Sequence, residues 1–378
     1  MPSIRDQGIW AHDANNFDIM RLLLATLVIY SHAFPIFLGT HDWWQDAGSH
    51  YNLGQLAVMA FFIISGMLVT RSATFSRSGF SYAISRIYRL VPGAFICAIW
   101  CALILGAIMT SLALHEYYSS GRVWSFIFRN TYMMAIQYDL PGVFSDNIYK
   151  QAVNGSLWSL KVEIKMYIAF GLIVFIARRF KFLSAHLNYI MLAVTILALV
   201  RLYVPDLPWD LAEDPKAHRR WDYGYYFAAG ALLYTGEKWF PRSLPLAMAL
   251  SFGTVLLLIM GYTELYHLAL RLSLPYLIFC LAFADAKPVR KLQFFPDISY
   301  GVYIYAFPVQ QAVSALFAEK TGFATLTFLS ILITYILAYM SWKLVEEPAL
   351  MKKSKHAKIV SDWFSHLFKS NLKILGRK

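Results

Sequence analysis

Charge is scarce in this chain. Of its 378 residues only 15% are Asp, Glu, Lys or Arg, against roughly a quarter in ordinary soluble domains. That shortage excludes a conventional water-soluble fold. Cysteine is rarer still: Cys97, Cys101 and Cys280 all fall in apolar runs and none stands in a CxxC. A disulfide framework is excluded, and no His/Cys cluster has the spacing of a zinc site, so buried thiols and no metal are expected. Neither a GxGxxG fingerprint nor a Walker loop occurs, so a phosphate-bearing ligand must be held by side chains rather than by a glycine-rich turn. No internal repeat and no low-complexity linker is visible, and paired repeats are what many transporters are built from.

What the chain has instead is apolar length. Hydrophobic residues make up 58% and aromatic residues 17%, with a mean hydropathy of +0.49. Runs of spanning length lie at 17–38, 53–70, 90–114, 157–177, 188–204, 221–235, 244–262, 265–285, 297–318 and 324–345, which predicts an all-α, multi-pass membrane protein of about ten transmembrane helices. Of the 34 Lys and Arg, 21 sit on one set of alternate segments (Arg5, 71–89, 178–181, 238–242, 287–291 and beyond Pro348), against 7 on the other. Positive residues stay inside, so both termini are expected in the cytoplasm and the protein in an inner (plasma) membrane. The net charge of +12 is then a topology signal, and no nucleic-acid partner is expected. Residues 1–348 form the membrane domain. The tail, 349–378, alternates Trp363, Phe364, Leu367, Phe368 and Leu372 with basic residues and is expected to lie on the lipid bilayer as an amphipathic helix.

Ionisable groups inside apolar runs are costly and mark function. The first run carries Arg21 and His32. Eleven helical residues turn the chain by about 1100°, three turns plus roughly 20°, so both lie on one stripe roughly 16 Å apart. Counting rise per residue puts His32 about 22 Å above the inner boundary and Glu163, in the fourth run, about 9 Å below the outer one. In a core about 30 Å thick these are nearly one height. If the two helices are neighbours, Glu163 would orient the imidazole of His32. The plain alternative for Glu163 is an ion pair with Lys161 or Lys165, though two-residue offsets do not favour one.

Arg86 and Arg89 are three apart and share a helical face with no acid in their segment. Membrane topology needs only their charge, whereas a paired arginine face is also a fork for phosphate oxygens. The ninth run, DISYGVYIYAFPVQQ, is polar for a lipid-facing helix and is expected to face other helices. The loop 115–155 is rich in aromatic and amide residues, Asn154 among them. Such a surface suits a sugar, and an interfacial aromatic belt has the same composition.

Together these stretches resemble the acyltransferase-3 family of bacterial integral-membrane acyltransferases. The marks are Arg21-x10-His32, FFIISGMLVTRS from Phe61 to Ser72, Arg86-x2-Arg89 before Pro92, SLWSLKVE ending at Glu163, ISYGVYIYAFPV from Ile298 to Val309, and the terminal SWKLVEEPAL. The resemblance implies transfer of an acyl group, usually from cytoplasmic acetyl-CoA, to a hydroxyl of a glycan acceptor such as an O-antigen, exopolysaccharide or lipo-oligosaccharide. It implies Arg21 and His32 at the transfer centre and Arg86, Arg89, Tyr300 and Tyr303 at the donor site. Glu163 falls near the acceptor, with Asn154, Ser156 and Trp158 as acceptor contacts. Where many members have a histidine in the ninth-run motif this chain has Ala306. Many members also carry a C-terminal extracytoplasmic domain. Here the membrane core is expected to complete the transfer, or a separate extracytoplasmic transferase does so.

The expected chemistry is that His32 acts as general base on the acceptor hydroxyl, or forms an acetyl-His intermediate. Another donor such as succinyl-CoA would require a further cation, for which Arg271 and Lys161 are candidates. A transporter or flippase of a glycan or organic anion is the reading from a different class.

Overall fold

Helix ends are written into the sequence. Asn52 accepts from the backbone N–H of Gln55 at 2.7 Å while the Gln55 side chain accepts from the backbone N–H of Asn52 at 2.9 Å, a reciprocal capping box that fixes where the second long helix starts. Ser78 opens the third in the same way, accepting from Ser81 N–H at 3.1 Å. The computed structural model describes residues 8–11, 14–150, 152–204, 215–285 and 296–353. Most of the amphipathic tail read from the sequence, 354–378, lies outside the described residues, as do Arg5 and 287–291.

Each of the ten apolar runs falls on a helix. These are α1 (Phe17–Ala33), α2 (Leu53–Phe75), α3 (Gly79–Ile99), α5 (Trp158–Arg179), α6 (Leu187–Tyr203), α7 (Pro215–Thr235), α8 (Leu244–Ile259), α9 (Thr263–Ala282), α10 (Ser299–Phe317) and α11 (Phe323–Ser341), while α4 (Gly121–Tyr132) lies in the loop between α3 and α5. No strand occurs among the described residues; an isolated bridge joins Thr110 and Val143. Among the described residues, five helical stretches are long and apolar enough to cross a membrane: Phe17–Leu38, Leu53–Phe75, Gly79–Met109, Thr263–Ala282 and Phe323–Lys353. Leu187–Tyr203 and Leu244–Ile259 are apolar but shorter. The third run begins earlier than its apolar residues suggest, because the helix starts at Gly79 and its first three turns carry Arg86 and Arg89.

Two helices form the centre. In α10, 15 of 19 residues are buried, so its tyrosines and glutamines do face protein, and the helix runs on through Pro308. The other central helix is α2, which meets α7 through two glycines. A Cβ on Gly66 would lie 2.1 Å from the Phe227 carbonyl oxygen, and one on Gly230 would lie 2.1 Å from that of Ile63. Only hydrogen fits at either place, so the backbones touch. Helix α1 packs on both α2 and α10, which sets Arg21 near one end of the core and His32 toward the other. That first end, where α1 and α3 begin and α2 ends, carries Arg21, Arg71, Arg86, Arg89 and Arg178 and is called the basic end below.

Opposite the basic end, the segment before α5 dips into the bundle. Val153, Asn154, Ser156 and Leu157 are buried. Asn154 Nδ2 donates to the Ile304 carbonyl at 2.9 Å, and Gln311 Nε2 donates to the carbonyls of Tyr149 and Ala152, both at 2.7 Å. Gln311 of α10 thus holds a loop inside the helix bundle and satisfies its backbone there.

Candidate active site

A cleft opens between α1, α2, α3, α5 and α10. Its walls bring together Arg21, Arg86, Arg89, Glu163, Tyr300 and Tyr303. Six side chains singled out in the sequence, from four helices, therefore meet in one place.

The three arginines are not equivalent. Arg21 and Arg89 converge on Asp297, at 3.0 Å and 2.5 Å, and Arg21 is also paired with Asp18. Asp297 is in turn an acceptor for Ser299 Oγ. Arg86 has no carboxylate partner among the described residues. Its guanidinium lies over the rings of Tyr167 at 5.7 Å and Tyr82 at 6.0 Å, and Nη2 reaches Ser72 Oγ at 3.4 Å. Aromatic faces hold the cation in place without cancelling its charge, so Arg86 is the group in this cleft best placed to receive an anion.

Glu163 accepts from Ser65 Oγ at 2.9 Å and from the Tyr167 hydroxyl. It does not pair with His32, contrary to the depth estimate. The reason is the dipping segment. Because α5 starts inside the bundle, Glu163 sits further toward the basic end than a count from the membrane boundary implies. His32 packs edge-on against Phe307, with ring centroids 5.5 Å apart. Phe307 occupies the space beside Gly155, where a Cβ would come within 2.7 Å of its ring. His32 is thus level with Gly155, and Glu163 lies eight residues, about 12 Å, along α5. Nδ1 of His32 is buried without a hydrogen-bond partner.

The inner end of the cleft, its floor, is lined by Val58, Phe61 and Tyr303, the last two with ring centroids 6.0 Å apart. The Tyr303 hydroxyl bonds Ser159 Oγ at 2.6 Å and donates to the Ser156 carbonyl at 3.1 Å. His32 lies beyond this floor and is not part of the cleft wall. Of the acceptor contacts expected from the sequence, Asn154 and Ser156 are buried behind the floor. Trp158 packs against Tyr223 at 5.0 Å. The Tyr300 hydroxyl donates to the Leu90 carbonyl at 2.7 Å, so that ring is a wall of the cleft rather than a free hydroxyl.

Sequence reasoning missed Asp297, Ser65, Tyr167 and Glu346. Asp297 stands two residues ahead of the SYG motif and Tyr167 one helical turn after Glu163. Both signals were there to use. Glu346, in the terminal EEP, is buried, accepts from Ser341 Oγ at 3.0 Å and leaves Oε2 unpaired. It sits against Gly93 together with Tyr300, on the far side of the cleft wall.

The two further cations considered for a dicarboxylic donor are elsewhere. Arg271 is bound to Asp222 at 3.0 Å and to the hydroxyls of Tyr203 and Tyr51 at 3.0 and 3.2 Å. Neither it nor Lys161 lines the cleft.

This set of helices and side chains belongs with a known family. The acyltransferase domain matches residues 15–342. The chain therefore belongs to the acyltransferase-3 family and is an acyltransferase. It is 28% identical over 349 residues to an O-acetyl transferase of Shigella phage Sf6, covering 91% of this chain and 98% of that protein. It is 26% identical over 374 residues to Nodulation protein 10 of Rhizobium leguminosarum bv. viciae, covering 89% of this chain and 93% of that one. No solved structure matches.

Proposed function

We propose that the protein is a membrane O-acetyltransferase that moves an acetyl group from cytoplasmic acetyl-CoA to a hydroxyl of an extracytoplasmic or membrane-linked glycan. In this reading all ten long apolar helices cross an inner membrane, with the basic end and both termini in the cytoplasm. The observation that carries it is the cleft at the basic end with Arg86 positioned by two tyrosine rings and without a carboxylate partner among the described residues. The name of the phage relative supports transfer to oxygen.

The donor phosphates bind Arg86 at the mouth, and the pantetheine arm lies along Ser65 and Tyr303 toward the floor. The thioester passes the floor when Phe61 and Tyr303 part. His32 takes the proton of the acceptor hydroxyl, the oxygen attacks the thioester carbonyl, the carbon–sulfur bond breaks, and the CoA thiolate leaves to recover that proton from the imidazolium. Glu163 acts as a positioning residue, holding the ring of Tyr167 under Arg86.

The test is incubation of the purified protein in lipid nanodiscs with acetyl-CoA labelled in the acetyl group and a panel of bacterial polysaccharides. Free CoA thiol and labelled glycan should appear together. An intact thioester with every acceptor, alongside movement of glycan or anion across vesicles, would replace the enzyme reading by a transporter.

A further inference from the structure

A second cleft opens at the basic end, on another face of α2. It lies between the ends of α2, α6 and α7 and the N-terminal segment that carries Trp10. Four aromatic residues line it, Trp10, Phe75, Tyr234 and Trp239. Arg71 lies among them. Its guanidinium stacks 5.7 Å from the Trp10 ring and 5.6 Å from the Phe75 ring, and it has neither an ion pair nor a hydrogen bond among the described residues. Trp10 is itself fixed, donating its indole N–H to Glu237 Oε2 at 2.9 Å and packing edge-on against Tyr234 at 5.2 Å. A cation stacked on two rings with no ion pair among the described residues, in an open cleft, is placed to receive an anion.

We infer that this cleft binds the nucleotide end of a phosphorylated adenosine ligand, with the base against the aromatic walls and a phosphate on Arg71. Stacking surfaces hold a flat base irrespective of its hydrogen bonds. Trp239, 41% exposed and packed at 5.2 Å on the Tyr189 ring, is the exposed ring at the rim. Glu237 supplies an acceptor suited to an exocyclic amine. The inference rests on the proposed donor and deepens it. Arg71 adjoins Ser72, whose hydroxyl meets Arg86 in the first cleft, so the two clefts flank the last turns of α2. Between them Arg178 caps that helix, donating to the carbonyls of Ala73 and Ser76 at 2.9 and 2.7 Å. A coenzyme-A thioester lying with its adenosine on Arg71 and its pantetheine in the first cleft passes three arginines and no acid of α2.

The experiment uses the full-length protein in phosphatidylcholine nanodiscs and measures binding of adenosine 3′,5′-bisphosphate, of 4′-phosphopantetheine and of CoA. Arg71→Ala and Trp239→Ala should each weaken the bisphosphate at least tenfold and leave phosphopantetheine unchanged, with KM for acetyl-CoA raised and kcat kept. Arg71→Lys and Trp239→Phe, which keep the charge or the ring, should fall between and report on any variant that fails to fold. Unchanged bisphosphate affinity in folded variants, or no binding by the wild type, overturns the site. So does a bound phosphatidylglycerol, found by mass spectrometry in anionic nanodiscs, that excludes the nucleotide and is lost with Arg71→Ala. If the wild type binds the bisphosphate but acetyl-CoA is neither bound nor cleaved, the donor reading fails while this site stands. If CoA binds and neither substitution matters, this site fails alone.

Discussion

The guanidinium of Arg86 lies over the ring of Tyr167, 5.7 Å from its centroid, and the hydroxyl of that tyrosine donates to Glu163. The carboxylate thereby governs the arginine without touching it. Replacing Arg86 by Ala should weaken CoA binding roughly 10- to 100-fold, the worth of a charge-assisted bond of about 1.5–3 kcal/mol. Glu163→Gln, which keeps shape and removes charge, should weaken it less. Titration calorimetry of both variants checks the order, and equal affinity in wild type and Arg86→Ala would reduce this arginine to a topology signal.

Asp297 is the counter-ion of two arginines on two helices. Asp297→Asn leaves Arg89 without its paired carboxylate and Arg21 with Asp18 alone, in a largely buried place, and should cost on the order of 3 kcal/mol of stability. Thermal unfolding in detergent should show a clear fall in Tm. Arg89→Ala should lower Tm less, because Arg21 remains to neutralise Asp297.

For His32 the expected separation is between binding and turnover. His32→Ala should abolish acetyl transfer while CoA affinity stays within a factor of about two, since the side chain lies beyond the cleft floor. Single-turnover release of CoA thiol, measured beside equilibrium binding, decides this. Normal turnover in that variant would remove the imidazole from the mechanism.

Gly66 and Gly230 hold two helices in backbone contact. Alanine at either position requires α2 and α7 to separate, and overpacking of this kind costs about 1–3 kcal/mol. Both variants should unfold earlier in a thermal ramp. Gly253→Ala, where nothing lies within 4 Å of the added carbon, should not.

Helix positions were legible because each apolar run had to become a helix whatever its neighbours did. Arg21, Arg86, Arg89 and Glu163 could likewise be singled out as charges with no reason to be in lipid, and the cleft unites them. Depth could not be read in the same way. The distance from His32 to Glu163 depends on where α5 begins, and that is set by Gln311 and Asn154 pulling a loop inward through bonds to carbonyls at remote positions. Partnering was equally hidden. Arg86 and Arg89 look alike in sequence, and only the approach of Asp297, just ahead of α10, neutralises one and spares the other.

Helix α1 runs without interruption from Phe17 to Ala33 and loosens into a π-helical stretch only at Phe34–Leu38. Arg21 and His32 therefore ride on one stiff rod. Any tug that an arriving anion exerts on the Arg21–Asp297 contact is felt one helix-length away at the imidazole, and the first joint that could absorb it comes two residues too late.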